Sequence, residues 1–151
     1  MKTRWNKLRA LSFSEAWVLV RAVAAVVAFD VAFRLLPTKT CLALFESRAV
    51  AHRARGEVNT GRLAWLVDVA DRYAPGKSSC LRRAAALAWL LRRMGVATRL
   101  RIGVMREGEK LVAHSWVESG DGERYGLPEK DRYAPLSSLV LADPLRTGFE
   151  R

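Results

Sequence analysis

Two side chains in this sequence are of the types that nucleophilic chemistry at neutral pH requires, a thiol at Cys80 and an imidazole at His114. Cys80 opens the run "CLRRAAALAWLLRR" directly behind Ser78 and Ser79, at the mouth of a predicted helix. Unpaired backbone N–H groups and the positive end of the helix dipole favour an anion there, so position alone stabilises the thiolate. A thiol that attacks a carbonyl also needs a base to take its proton. His114 lies in "AHSWVE" on a predicted strand, and a separation of thirty-four positions is no obstacle, because such pairs meet in space. Each residue alone has a plainer reading: a cysteine in an Ala- and Leu-rich helix is usually a small buried hydrophobe, and a strand histidine a hydrogen-bonded structural one. Cys41 reads as a core residue and His52, near the end of a basic helix, as a surface one. The two cysteines form no CxxC or CxxH spacing, so neither a metal site nor a cofactor is expected.

The elements that would position these groups can be read from pattern and punctuation. Ser12 with Glu15 makes a capping box for an apolar helix over residues 16–36, stopped by Pro37. A second helix is expected over residues 41–54. A third starts at Thr60, where Leu63, Leu66, Val67, Ala70 and Tyr73 recur at helical spacing, and ends at Pro75-Gly76. The Cys80 helix follows, with Ser78 or Ser79 as N-cap, an apolar stripe through Ala84, Leu87, Ala88, Leu90 and Leu91, and Gly95 at its end. Beyond Gly95 the period becomes two: Leu100, Ile102 and Val104 alternate with polar or small residues, and "EGEK" turns the chain into a second strand over residues 111–118. Asp121-Gly122 signals a hairpin into a third strand over residues 123–127, before a polar tail containing "RYAPLSSL". Helices first and strands after give an α+β fold, in one compact domain at 151 residues. On the second strand His114, Trp116 and Glu118 share a face, with Ala113, Ser115 and Val117 on the other.

The helix-starting cysteine, the strand hairpin and the "HSWVE" strand together resemble the transglutaminase-like, papain-related cysteine hydrolases. More narrowly, "SSCLRRAAALAWLLRRMGVATRLRIGV", "AHSWVE" and "RYAPL" resemble the stand-alone B-type leader peptidases of lasso-peptide biosynthesis, over residues 75–136. The resemblance implies a core over residues 61–151, with apolar and basic helices in residues 1–60 packing on or flanking it. It implies hydrolysis of one peptide bond, freeing the core peptide from its leader before a separate ATP-using cyclase closes a macrolactam ring. By that analogy Cys80 attacks the scissile carbonyl, His114 takes the thiol proton and later protonates the leaving amine, and backbone N–H groups at the helix start hold the oxyanion.

The family's third catalytic group is an acidic residue on the next strand, and here that stretch reads "ERYGLPEKD". A two-residue turn at Asp121-Gly122 would pair Glu118 with Tyr125 and bring His114 near Glu129, which makes Glu129 the choice for the group orienting the imidazole, with Glu123 and Asp131 as alternatives. Glu118 is four residues along an extended strand from His114, roughly 13 Å away at about 3.3 Å per residue, too far to pair with it.

The formal net charge is +11, from 26 Lys and Arg against 15 Asp and Glu. Such an excess suits acidic partners, but the arginines are spread along amphipathic helices and read as solvated faces, and no nucleic-acid-binding motif accompanies them. The expected partners are therefore a precursor leader peptide, a small leader-recognition protein and the macrolactam-forming cyclase, and no nucleic acid. Unpaired thiols point to a reducing cytoplasm, and no clean cleavage site follows the basic, then apolar, start. The apolar helix, broken by Arg21 and Asp30, is expected to be buried or partner-facing, with peripheral membrane contact as the other reading. Two rival functions stay open: a transglutaminase-like acyl transferase, and a non-catalytic basic binding module.

Overall fold

The computed structural model describes residues 12–38, 40–41, 59–120, 122–126 and 133–135. They form three helices, α1 (Phe13–Leu35), α2 (Thr60–Tyr73) and α3 (Cys80–Arg93), followed by strands β1 (Thr98–Glu107), β2 (Lys110–Ser119), β3 (Arg124–Tyr125) and β4 (Ala134–Pro135). The architecture is α+β, as the order of patterns predicts. The expected helix over residues 41–54, apart from its first residue, and the positions of His52, Glu129 and Asp131 lie outside the described residues.

Local chemistry sets the helix ends. Ser12 and Glu15 form the reciprocal capping box of α1, and Leu36 leaves the helix in an extended conformation because Pro37 disfavours α geometry in the residue before it. The same device ends α2 at Ala74, ahead of Pro75, while Asn59 caps its start by accepting from the Arg62 N–H. Ser79 is the N-cap of α3, accepting from the Arg82 N–H, and Gly95 with φ +82° takes the left-handed position just past its end.

α1 packs on α2 and α3, and α3 lies across β1 and β2. The shared core holds Ala22, Val26 and Phe29 of α1, Leu63 and Val67 of α2, Leu87 and Leu91 of α3, and Leu100 and Val117 of the sheet. Burying each large aliphatic side chain contributes roughly 1.5–3 kcal/mol. Cys41 is part of this core and fully buried, and burial pushes its thiol above the ordinary range.

Two charges of α1 and α3 also go inward, which corrects the reading of the α3 arginines as solvated at one position, Arg82. Arg82 is buried, donating from Nε to Asp71 Oδ1 at 2.8 Å and from Nη1 to Asp30 Oδ1 at 3.2 Å and to the Pro75 carbonyl at 3.1 Å. Asp30, which interrupts the apolar run of α1, is thus the partner of a cation from another helix.

The sheet is antiparallel with strand order β3-β2-β1-β4. β1 and β2 form a long hairpin from Thr98↔Ser119 to Glu107↔Lys110 around the turn at Gly108 and Glu109. The β2–β3 register differs from expectation: Tyr125 pairs with Val117 and Arg124 with Glu118. The reason is the turn. Ser119 N–H donates to the Glu123 carbonyl, so three positions separate the strands instead of two, and Gly120 N–H is taken by the Ala97 carbonyl.

Candidate active site

Cys80 is the first residue of α3, and its side chain is partly exposed. The Ser79 hydroxyl caps the Arg82 N–H and the Ser79 carbonyl accepts from Arg83 N–H, which leaves the Cys80 and Leu81 N–H groups as the helix-start donors without intrahelical partners. The segment before the helix is tied down: Ser78 Oγ donates to Asp71 Oδ2, the carboxylate that also holds Arg82. The turn carrying the thiol is thereby fastened to α2 and, through Asp30, to α1. None of these ties is visible in the sequence; the one available hint is an acidic residue, Asp30, in an otherwise apolar helix.

His114 sits on β2, the strand against which α3 packs. The pleat divides β2 as expected. Val117 enters the helix-side core, and Ser115 lines a shallow recess there with Asp68 and Ala64 of α2, Arg83 and Ala84 of α3, and Tyr125. His114, Trp116 and Glu118 occupy the opposite face, where Trp116 is buried. His114 Nε2 is 2.6 Å from the Gly126 carbonyl oxygen, and its ring stacks on Tyr133 with centroids 5.2 Å apart. Tyr133 also meets Trp116, at 6.3 Å. It is placed there by β4, whose pairing with Gly103 and Val104 on the far edge of β1 was not anticipated; "RYAP" reads as tail, because two residues are too short to show a period.

The structure thus brings the Cys80 helix and the His114 strand into contact but turns the two side chains to different faces of that strand. Among the described residues no hydrogen bond joins them. Among the described residues β3 pairs with Val117 and Glu118. Glu118 has its own partners: it accepts from Arg101 Nε at 2.9 Å and from Trp116 Nε1 at 3.2 Å, and pairs with Arg124 at 3.3 Å. Burial raises its carboxyl, but the Arg101 and Trp116 hydrogen bonds and the charges of Arg101 and Arg124 outweigh this and hold it below the usual carboxylate range. Among the described residues no group of three or more His, Cys, Asp or Glu side chains is placed to hold a metal ion.

Compared with known protein families, residues 17–138 match the transglutaminase-like superfamily. The chain belongs to the transglutaminase-like superfamily. No curated protein and no solved structure matches it significantly. Transglutaminase-like proteins usually act as cysteine proteases or acyltransferases, chemistries that share an acyl-enzyme and differ in whether water or an amine resolves it. The transglutaminase-like match begins in α1 and extends past β4, so it includes both Cys80 and His114.

Proposed function

We propose that this transglutaminase-like protein is a cysteine peptidase that cleaves the leader from a lasso-peptide precursor, with Cys80 as nucleophile, His114 as general base and Glu129 as the group that orients the imidazole. The observation that carries the reading is the placement of a partly exposed thiol at the first residue of α3, next to free helix-start N–H groups, in a chain of this superfamily. In the reaction the Cys80 sulfur bonds to the scissile carbonyl carbon as its proton passes to His114. The peptide C–N bond then breaks as that proton goes to the departing amine, and water resolves the thioester to release the leader as a free acid. The Cys80 and Leu81 N–H groups stabilise the developing oxyanion. To act as the base, His114 releases the Gly126 carbonyl that its Nε2 contacts. The small leader-recognition protein supplies the leader's binding site, and the freed core passes to the macrolactam-forming cyclase.

The test is incubation with a lasso-peptide precursor and its leader-binding protein, read by mass spectrometry. Cys80→Ala abolishes cleavage while thermal unfolding is unchanged; retained cleavage removes Cys80 from the mechanism. An isopeptide adduct in place of a free leader acid assigns the acyl-transfer chemistry of the superfamily instead. The pairing of the two residues has its own measurement, the pH profile of Cys80 alkylation. His114→Ala shifts that profile if the imidazole reaches the thiol, and an unchanged profile shows that it does not.

A further inference from the structure

α1 buries one side against the domain and leaves the other bare along its whole length. Phe13 is 93% exposed, Trp17 61%, Val20 58%, Val31 47% and Leu35 75%. Ala24 and Ala28 are exposed between them. At about 100° per residue these seven positions fall within a stripe about 80° wide, and 23 residues at about 1.5 Å each make it about 35 Å long.

The charges of α1 are sorted around this stripe. Both acidic side chains are on the domain side, Glu15 bonded to Arg62 at 2.7 Å and Asp30 to Arg82 at 3.2 Å. The two cations, Arg21 and Arg34, flank the stripe on opposite sides, about 60° and 80° from its centre by the same geometry. The eleven residues before Ser12 add Lys2, Arg4, Lys7 and Arg9, with Trp5 and no Asp or Glu. An apolar stripe edged by cations and lacking exposed carboxylates matches a surface that is anionic outside and apolar beneath.

We infer that α1 lies flat on an anionic lipid bilayer, its bare stripe in the boundary between headgroups and acyl chains and its arginines against the headgroup phosphates. By length and composition α1 is apolar enough to cross a bilayer, with a mean hydropathy of 2.0 over its most apolar window. Its other side, however, is bound to the domain through Ala22, Val26 and Phe29 and through the Asp30–Arg82 ion pair, which insertion would break. A second copy seated on the stripe would align two sets of basic flanks, and like charges oppose that arrangement. The placement is independent of Cys80 and of the proposed hydrolysis.

The experiment is co-sedimentation of the full chain with vesicles of mixed phosphatidylglycerol and phosphatidylcholine, and with phosphatidylcholine alone, at low and high salt. Binding to the mixed vesicles is expected, weaker by about tenfold or more without the anionic lipid or at high salt. The Trp17→Glu/Val31→Glu variant, altered only at exposed positions, is expected to bind at least about tenfold more weakly with unchanged thermal unfolding. Lys7→Gln/Arg21→Gln, which leaves the stripe intact, should lose the preference for anionic lipid. Absence of binding to the mixed vesicles, or equal binding by both variants, overturns the inference. A dimer in solution that Val31→Glu dissociates, with no vesicle binding, assigns the stripe to a second copy and overturns it as well.

Discussion

Replacing Arg82 by methionine tests whether the start of α3 is held by a buried ion network. The guanidinium is 1% exposed and makes Nε and Nη2 contacts with Asp71 Oδ1 at 2.8 and 2.6 Å, along with bonds to Asp30 Oδ1 and to the carbonyls of Pro75 and Asp71. Methionine fills much of the same space, so the packing loss is small and the electrostatic loss dominates. Asp30 keeps Arg34 at 2.9 Å and some access to water, whereas the Asp71 side chain is 3% exposed and is left with Ser78 as its side-chain partner. Removing one member of a buried pair costs about 3–5 kcal/mol, because the remaining charge has lost both its water and its partner. At about 2–4 °C per kcal/mol for a chain of this size, the melting temperature should fall by about 6–20 °C. Circular dichroism melts and urea titrations read the effect. Arg82→Met/Asp71→Asn should recover most of the loss, since it removes the stranded charge as well. A single variant within about 1 kcal/mol of the parent, or a double variant no more stable than the single, would refute the network as the anchor of the Cys80 turn.

Other substitutions probe the same chain of causes. Ser79→Ala removes the α3 N-cap and should cost about 1 kcal/mol in urea titrations, with slower alkylation of Cys80 as the helix start frays. At Gly76, φ is +94° and an added Cβ would sit 2.9 Å from Asp30 Oδ2 and 3.2 Å from Arg82 Nη1, so Gly76→Ala should destabilise by about 1–3 kcal/mol in thermal melts. Phe29→Ala empties a fully buried site between α1 and the core and should cost about 3–5 kcal/mol by urea titration. Because Glu118 is held below the usual carboxylate range, its stabilisation is present above that range and is lost as pH falls through the lowered folded value. Melting temperatures of Glu118→Gln should therefore converge on those of the parent in acid and lie below them at neutral pH.

Much of the fold was legible because short-range chemistry decides it. Ser12, Ser79, Pro37, Pro75 and Gly95 act on backbone groups within one turn of themselves, and the helix boundaries follow them. The alternation through Leu100, Ile102 and Val104 gives a strand because the pleat has period two, and His114, Trp116 and Glu118 fall on one face for the same reason. The site was legible only in part. Cys80 stands at the helix start that Ser79 defines, yet nothing local says which face of β2 would meet that helix.

The sequence by itself therefore determined the element order, the helix caps, the thiol's place at a helix N-terminus and the residues that share a strand face, all consequences of interactions a few positions long. Tertiary structure alone decided that Arg82 is buried with Asp71 and Asp30, that Tyr133 covers His114, that the Ala97 carbonyl holds Gly120 in a three-residue turn, and that the sheet turns Ser115 and Val117 toward α3 and His114 away. Each of those depends on groups far apart in the chain, whose contacts exist only once burial has made an unpaired charge or an unsatisfied backbone group costly.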